Sequence, residues 1–189
     1  MRVIAGQFKG RQLSTPKGSN TRPTTDRVRE SLFSTLASAR GGFDDAVVLD
    51  AFAGSGALGI ETLSRGAAFA LFCEKDRHAL AALKSNLSFV PADSYALVAG
   101  DVLKRNVRSP QAFDLLFFDP PYALEPATVA RIIYQLENDE LLAPQALISY
   151  EFSASLGEAP LLREMGPEAL EYVTHKSYGT TTIDIYRKV

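Results

Sequence analysis

The 189-residue chain has one cysteine, Cys73, and two histidines, His78 and His175. A single cysteine excludes an intrachain disulfide, and a reducing, cytoplasmic setting is the expectation. No Cys or His pair stands at metal-ligand spacing, so no metal is expected. No Ser-His-Asp arrangement is signalled, because Ser55 lies within Gly54-Ser55-Gly56 and not in a nucleophile elbow. Residues 1–13 lack the apolar run of a signal peptide. No stretch approaches the roughly 18 consecutive apolar residues that span a membrane, so no membrane partner is expected. Internal repeats and low-complexity segments are also missing.

What remains is 46% hydrophobic and 22% charged, enough for the core of one globular domain with a small appendage. The net charge of −2 conceals an asymmetry. Residues 1–40 carry eight basic side chains against two acidic ones, net +6, and residues 41–189 carry twelve against twenty, net −8. A basic arm on an acidic body suits a polyanionic partner; an unevenly charged solvated surface is the plainer reading.

Residues 3–13 are short, apolar and Gly-interrupted, as in a small hairpin, and residues 14–23 read as an exposed loop. Thr24 or Thr25 can cap a helix with Val28, Leu32 and Leu36 on its apolar face, ended by Gly41-Gly42. This divides the chain into a basic extension, 1–40, and a main domain, 41–189. Strand-like and helix-like segments then alternate: strand 46–50, helix 57–65, strand 69–74, helix 76–89, strands 95–99 and 113–118, helix 125–136 and strand 146–152. Segments 172–177 and 181–187, around Tyr178-Gly179, read as an antiparallel hairpin. Nearly all-apolar strands alternating with helices indicate an α/β fold on a parallel sheet covered on both faces. Such sheets bind ligands at the carboxyl ends of their strands. The stripe Ile132, Ile133 and Leu136 is expected in the core, and His78 on a helix surface.

Strand ends are therefore where polar residues matter. The first ends in Asp50, and residues 54–59 match G-x-G-x-x-G, whose glycines allow a tight turn and close ligand approach. Glu74 ends the second strand, twenty residues past Gly54, and can accept both hydroxyls of a ribose. These two features fit a nicotinamide or flavin dinucleotide as well as other nucleosides. Gly100-Asp101 follows the third strand, where an aspartate can accept from an adenine amino group or simply make a turn. The fourth strand runs into Asp119-Pro120-Pro121-Tyr122. An amino group on a base is a poor nucleophile, since its lone pair is delocalised into the ring. The Asp119 carboxylate and the Pro120 carbonyl can take its two N–H groups and localise that pair. The prolines hold both acceptors stiffly, and Tyr122 offers a face on which the base stacks.

Asp50 to Gly59, Glu74, Asp101 and Asp119 to Tyr122, in that order, resemble the motifs of class I methyltransferases with a D-P-P-Y loop. Arg2 to Gly6, Gly10-Arg11 and Arg22 to Phe33 narrow the resemblance to the RsmD-type 16S rRNA (guanine-N2)-methyltransferases. It covers nearly the whole chain and is thin after residue 150. The resemblance implies a Rossmann-like, seven-stranded, mostly parallel sheet with an antiparallel last strand. It implies S-adenosylmethionine as methyl donor and the N2 amine of a guanine in small-subunit rRNA, or in an assembly intermediate of that subunit, as acceptor. Asp50, Phe52, Ala53, Gly54, Gly56, Glu74, Lys75, Asp101, Val102 and Asp119 would line the cofactor. Asp119, Pro120, Pro121 and Tyr122 would hold the base, and Arg11, Arg22, Arg27 and Arg29 are candidates for RNA phosphates. An adenine-N6 methyltransferase and a NAD-dependent oxidoreductase are the alternatives.

Overall fold

The computed structural model describes residues 1–15, 26–104, 107–109, 111–156, 162 and 170–189. Its strands are β1 (Val47–Asp50), β2 (Phe69–Glu74), β3 (Tyr95–Ala99), β4 (Phe113–Phe118), β5 (Leu142–Ser153), β6 (Leu170–Tyr178) and β7 (Thr181–Lys188). They form one seven-stranded sheet in the order β3-β2-β1-β4-β5-β7-β6. β1 pairs in parallel with β2, β2 with β3, and β4 with β5. β7 runs antiparallel to both β5 and β6, as expected of the last strand. The helices are α1 (Asp26–Arg40), α2 (Ala57–Ser64), α3 (Arg77–Asn86) and α4 (Pro126–Asn138). None of them is long and apolar enough to cross a membrane, among the described residues.

The chain forms two compact units, Met1–Arg105 and Asn106–Val189. Within the first unit, α2 binds the N-terminal segment. Glu61, wholly buried, accepts from the Ile4 and Ala5 N–H groups at 2.7 and 3.0 Å. The Ser64 hydroxyl accepts from Phe8 N–H at 2.9 Å, and Gln7 N–H donates to the Ser64 carbonyl at 2.7 Å. The expected hairpin at residues 3–13 forms without regular strands: Arg2 and Gln12 make an antiparallel bridge, Val3 N–H donates to the Arg11 carbonyl at 2.9 Å, and Leu13 N–H donates to the Met1 carbonyl at 2.8 Å. Gly6, at φ 81°, is required: a Cβ there would stand 1.7 Å from the Ser64 carbonyl oxygen.

α1 buries Leu32, Phe33 and Leu36, while Val28 is only half-buried. Arg29 takes the expected place of Val28 in the interior, for reasons given below. The proposed cap at Thr24 or Thr25 lies outside the described residues. α3 begins as expected, with the Asp76 carboxylate accepting from the His78 and Ala79 N–H groups. Ile132, Ile133 and Leu136 are buried on α4, and His78 is exposed. β5 starts four residues earlier than the apolar run suggests. Its extra residues, with Gln145 at φ 63°, are absorbed by a register shift between Phe113↔Leu142 and Leu115↔Leu147.

Candidate active site

In the first unit, acidic groups close β1 and β2 and follow β3 across adjacent strands. Asp50 is 2% exposed and its Oδ2 accepts from Gly59 N–H at 3.0 Å, which fixes the turn into α2. The glycines between them divide their work. Gly56 and Gly59 are bare for packing: a Cβ would come 2.4 Å from Leu83 Cδ1 at the first and 2.3 Å from the Phe72 ring at the second. Gly54, at φ 55°, faces open space, with nothing within 4 Å of where a Cβ would stand. Only Gly54 has the geometry of close ligand approach. Ala53 is buried and held through its N–H to the Cys73 carbonyl at 2.9 Å, and Phe52 is half-buried.

Glu74 Oε2 accepts from Gly54 N–H at 2.7 Å, and Oε1 accepts from the Lys75 and Asp76 N–H groups, each at 2.7 Å. A carboxylate offers about four acceptor positions, so roughly one remains. Two ribose hydroxyls therefore fit only if one replaces the Gly54 N–H. Asp101 Oδ1 accepts from Leu103 N–H at 3.1 Å, and the exposed Lys75 ammonium stands 3.4 Å from Asp101 Oδ2. Val102 is buried beside it. The field of these acids is felt within β2. The Cys73 thiol is pushed up to about 12, first by burial and then by the negative charges of Asp50 and Glu74. An open glycine turn, a fixed carboxylate and a negative field fit a nucleoside ligand that carries positive charge.

In the second unit, β4 delivers Asp119 at its carboxyl end. Pro120 is buried, and the Pro121 carbonyl accepts from Leu124 N–H at 2.8 Å, closing a turn. The Asp119 carboxyl and the Pro120 carbonyl make no hydrogen bond among the described residues. Desolvation raises the Asp119 carboxyl to about 6, although the residue as a whole is only half-buried. Tyr122 is 47% exposed, yet its hydroxyl is fixed at 2.7 Å from Thr181 Oγ1 at the start of β7. The ring thus has an open face and a tethered end.

Two groups of this unit carry no motif. Glu151 of β5 is half-buried and its carboxyl is raised to about 8, by desolvation and by the charge of Asp119. Thr181 is the anchor of Tyr122. A Ser-His-Asp chain is also present, which the sequence did not signal. His175 Nδ1 lies 2.8 Å from Asp184 Oδ1, and Nε2 lies 3.1 Å from Ser177 Oγ. Asp184 also accepts from the Tyr186 hydroxyl at 2.9 Å, so the group pins β6 to β7.

Among the four arginines expected at RNA, Arg11 and Arg27 are exposed, and Arg22 lies outside the described residues. Arg11 rests its guanidinium over the Phe89 ring, 5.2 Å from the centroid. Arg29 must be withdrawn. It is 1% exposed and donates through Nη2 to the Arg2 carbonyl at 2.6 Å and to Asp26 Oδ1 at 2.8 Å. A side chain so enclosed cannot reach a phosphate. Its hydrogen bond also holds the Asp26 carboxyl below its ordinary range.

The family model described as conserved hypothetical protein 95 matches residues 1–187. The chain belongs to this family, the RsmD-type methyltransferases. The protein named Ribosomal RNA small subunit methyltransferase D of Escherichia coli (strain K12) is 40% identical over 157 residues, covering 83% of this chain and 77% of that protein. YlbH of Bacillus subtilis (strain 168) is 35% identical over 196 residues, 100% of this chain and 99% of its own. The solved structure of yhhF from Escherichia coli superposes with a TM-score of 0.82 at 34% identity, covering 100% of this chain and 97% of that one. The RsmD-type fold is thus the class I methyltransferase fold, a seven-stranded sheet with antiparallel closing strands.

Proposed function

We propose that this RsmD-type chain transfers a methyl group from S-adenosylmethionine to the exocyclic N2 amine of a guanine in small-subunit ribosomal RNA. One observation carries the reading: two acceptors without hydrogen bonds among the described residues, the Asp119 carboxyl and the Pro120 carbonyl, share one short loop with the exposed ring of Tyr122. They are matched to the two N–H groups of a base amine, and drawing on both localises the nitrogen lone pair. Tyr122 stacks the base, which must leave its helix to arrive there. When bound, S-adenosylmethionine supplies an electrophilic methyl group on a cationic sulfur.

The first unit's residues suit that donor. Gly54 lets the ligand approach the backbone, Glu74 accepts from the ribose, and Asp101 and Val102 meet the adenine. Asp50 and Glu74 supply the negative field that a sulfonium needs. Arg11 and Arg27 serve RNA phosphates. The relatives' names support rRNA and the small subunit, and the Asp119-Pro-Pro-Tyr122 loop supports an amine acceptor.

The test is mass mapping of modified nucleosides in 16S rRNA from cells with and without the protein. Loss of one N2-methylguanine is expected; loss of an N6-methyladenine would overturn the acceptor. In vitro, Asp119→Ala should keep S-adenosylhomocysteine binding by calorimetry and lose about 100-fold or more in turnover. Binding of NAD in preference to S-adenosylhomocysteine would overturn the donor.

A further inference from the structure

Glu151 belongs to no motif, yet the fold sets it beside Asp119. The parallel register of β4 and β5 pairs Phe118 with Tyr150. Asp119 and Glu151 are each the next residue, so their side chains leave the sheet on one face at one level. On its other flank Glu151 pairs with the apolar Ile183 of β7. Asp184, one residue on, pairs with Tyr150 and is engaged by His175 and Tyr186. Asp119 is the one charge that acts on Glu151, and among the described residues neither carboxyl has a cationic or N–H partner. Two part-buried carboxyls without counter-ions do not both ionise readily, because like charges at close range disfavour the second charge.

We propose that Glu151 is a positioning residue for the methyl transfer, holding with Asp119 one shared proton so that the pair meets the base amine with a single negative charge. This rests on the proposed amine methylation. The proton bookkeeping then closes. The amine nitrogen forms its bond to the methyl carbon as the carbon–sulfur bond breaks, and the bonding pair goes to sulfur, leaving a neutral thioether. The nitrogen, now positive, gives up one proton to Asp119. The pair passes from one proton and charge −1 to two protons and no charge, and returns one proton to water. Glu151 never touches the base; it sets how readily Asp119 ionises and where its carboxylate points.

The experiment is the pH profile of single-turnover methyl transfer from tritiated S-adenosylmethionine into small ribosomal subunits that lack the modification. In Glu151→Gln the shared proton that stabilises the singly ionised pair is gone, so the acid limb should move about one unit higher in pH, with S-adenosylhomocysteine affinity unchanged. Glu151→Asp, which keeps a carboxyl, should leave the limb near its wild-type position. An acid limb that does not move in Glu151→Gln, while Asp119→Ala is inactive, overturns the proposal and leaves the amine-methylation reading standing. Activity retained in Asp119→Ala overturns the reading itself. If Glu151→Gln does not fold, a carboxyl 13C titration of the wild-type protein decides. Two widely separated steps, each seen at both carboxyl carbons, support the shared proton, and two independent single-site titrations refute it.

Discussion

Replacing Glu61 by glutamine should weaken the first unit and loosen the N-terminal segment from α2. The Glu61 carboxylate is 0% exposed and accepts three donors: Ile4 N–H at 2.7 Å, Ala5 N–H at 3.0 Å and Arg65 Nε at 2.8 Å. Glutamine has nearly the same shape but one acceptor oxygen, and its NH2 would oppose a backbone N–H. Hydrogen bonds to a charged group contribute about 1.5–3 kcal/mol each. Breaking a buried ion pair from one side costs about 3–5 kcal/mol. Arg65 is 18% exposed and keeps its stacking over Phe33, 4.8 Å from the ring centroid, which lowers the cost of losing its partner. A loss of about 3 kcal/mol follows, roughly a hundredfold in the folding constant. Urea unfolding at constant m-value measures it, and limited proteolysis should cut within residues 1–15 faster in the variant. A loss below about 1 kcal/mol, with unchanged cleavage, would refute the assignment of Glu61 as the clamp.

Gly56→Ala and Gly54→Ala should part company. The first places a Cβ 2.4 Å from Leu83 at φ 79° and should lower thermal stability clearly; the second meets open space and should chiefly weaken S-adenosylhomocysteine binding, by calorimetry. Arg11→Glu should weaken RNA binding and flatten its salt dependence by about one phosphate contact, while Arg29→Met should alter stability and not the salt slope. Thr181→Val should raise KM for the subunit by freeing Tyr122, with S-adenosylhomocysteine affinity unchanged. Stability should also fall as pH rises. Asp119 and Glu151 are raised from 3.8 to about 6 and from 4.5 to about 8, so between about 4 and 8 the native state holds more protons than the unfolded chain. Melting temperatures across that window should decline in the wild type and decline less in Glu151→Gln.

The sheet was legible because each buried strand is an apolar run closed by an acid or a turn, and these are local signals. What escaped was set by contacts far apart in sequence. Apolar periodicity counted Val28 into the face of α1 and passed over Arg29, whose burial depends on the Arg2 carbonyl 27 residues earlier. The N-terminal segment read as an appendage because Glu61 and Ser64, which bind it, lie more than 50 residues away. Tyr122 was identified from its motif, but its anchor Thr181 is 59 residues distant. Glu151 left a trace, the one charged residue of β5, set between Tyr150 and Phe152. The His175–Asp184 pair could be found by counting back from the expected turn, since the register Tyr178↔Thr181 continues to His175↔Asp184. The dinucleotide-like glycine pattern was the least informative signal, because two of its three glycines serve packing.

The acids at the strand ends differ in a way that their spacing does not reveal. Asp50, Glu74 and Asp101 each accept from backbone N–H groups: Gly59; Gly54, Lys75 and Asp76; and Leu103. Backbone donors fix a carboxylate and commit most of its lone pairs, which suits holding a ligand in one pose. Asp119 and Glu151 have no such donors; burial raises both, and the charge of Asp119 raises Glu151 further. A carboxyl that is undersupplied with donors and reluctant to ionise is suited to take N–H groups from a substrate and to receive a proton near neutral pH. Supplying Asp119 with a donor should therefore be as harmful to turnover as removing it. A backbone amide cannot do so at Pro120, which has none, and this is a physical reason for proline at that position.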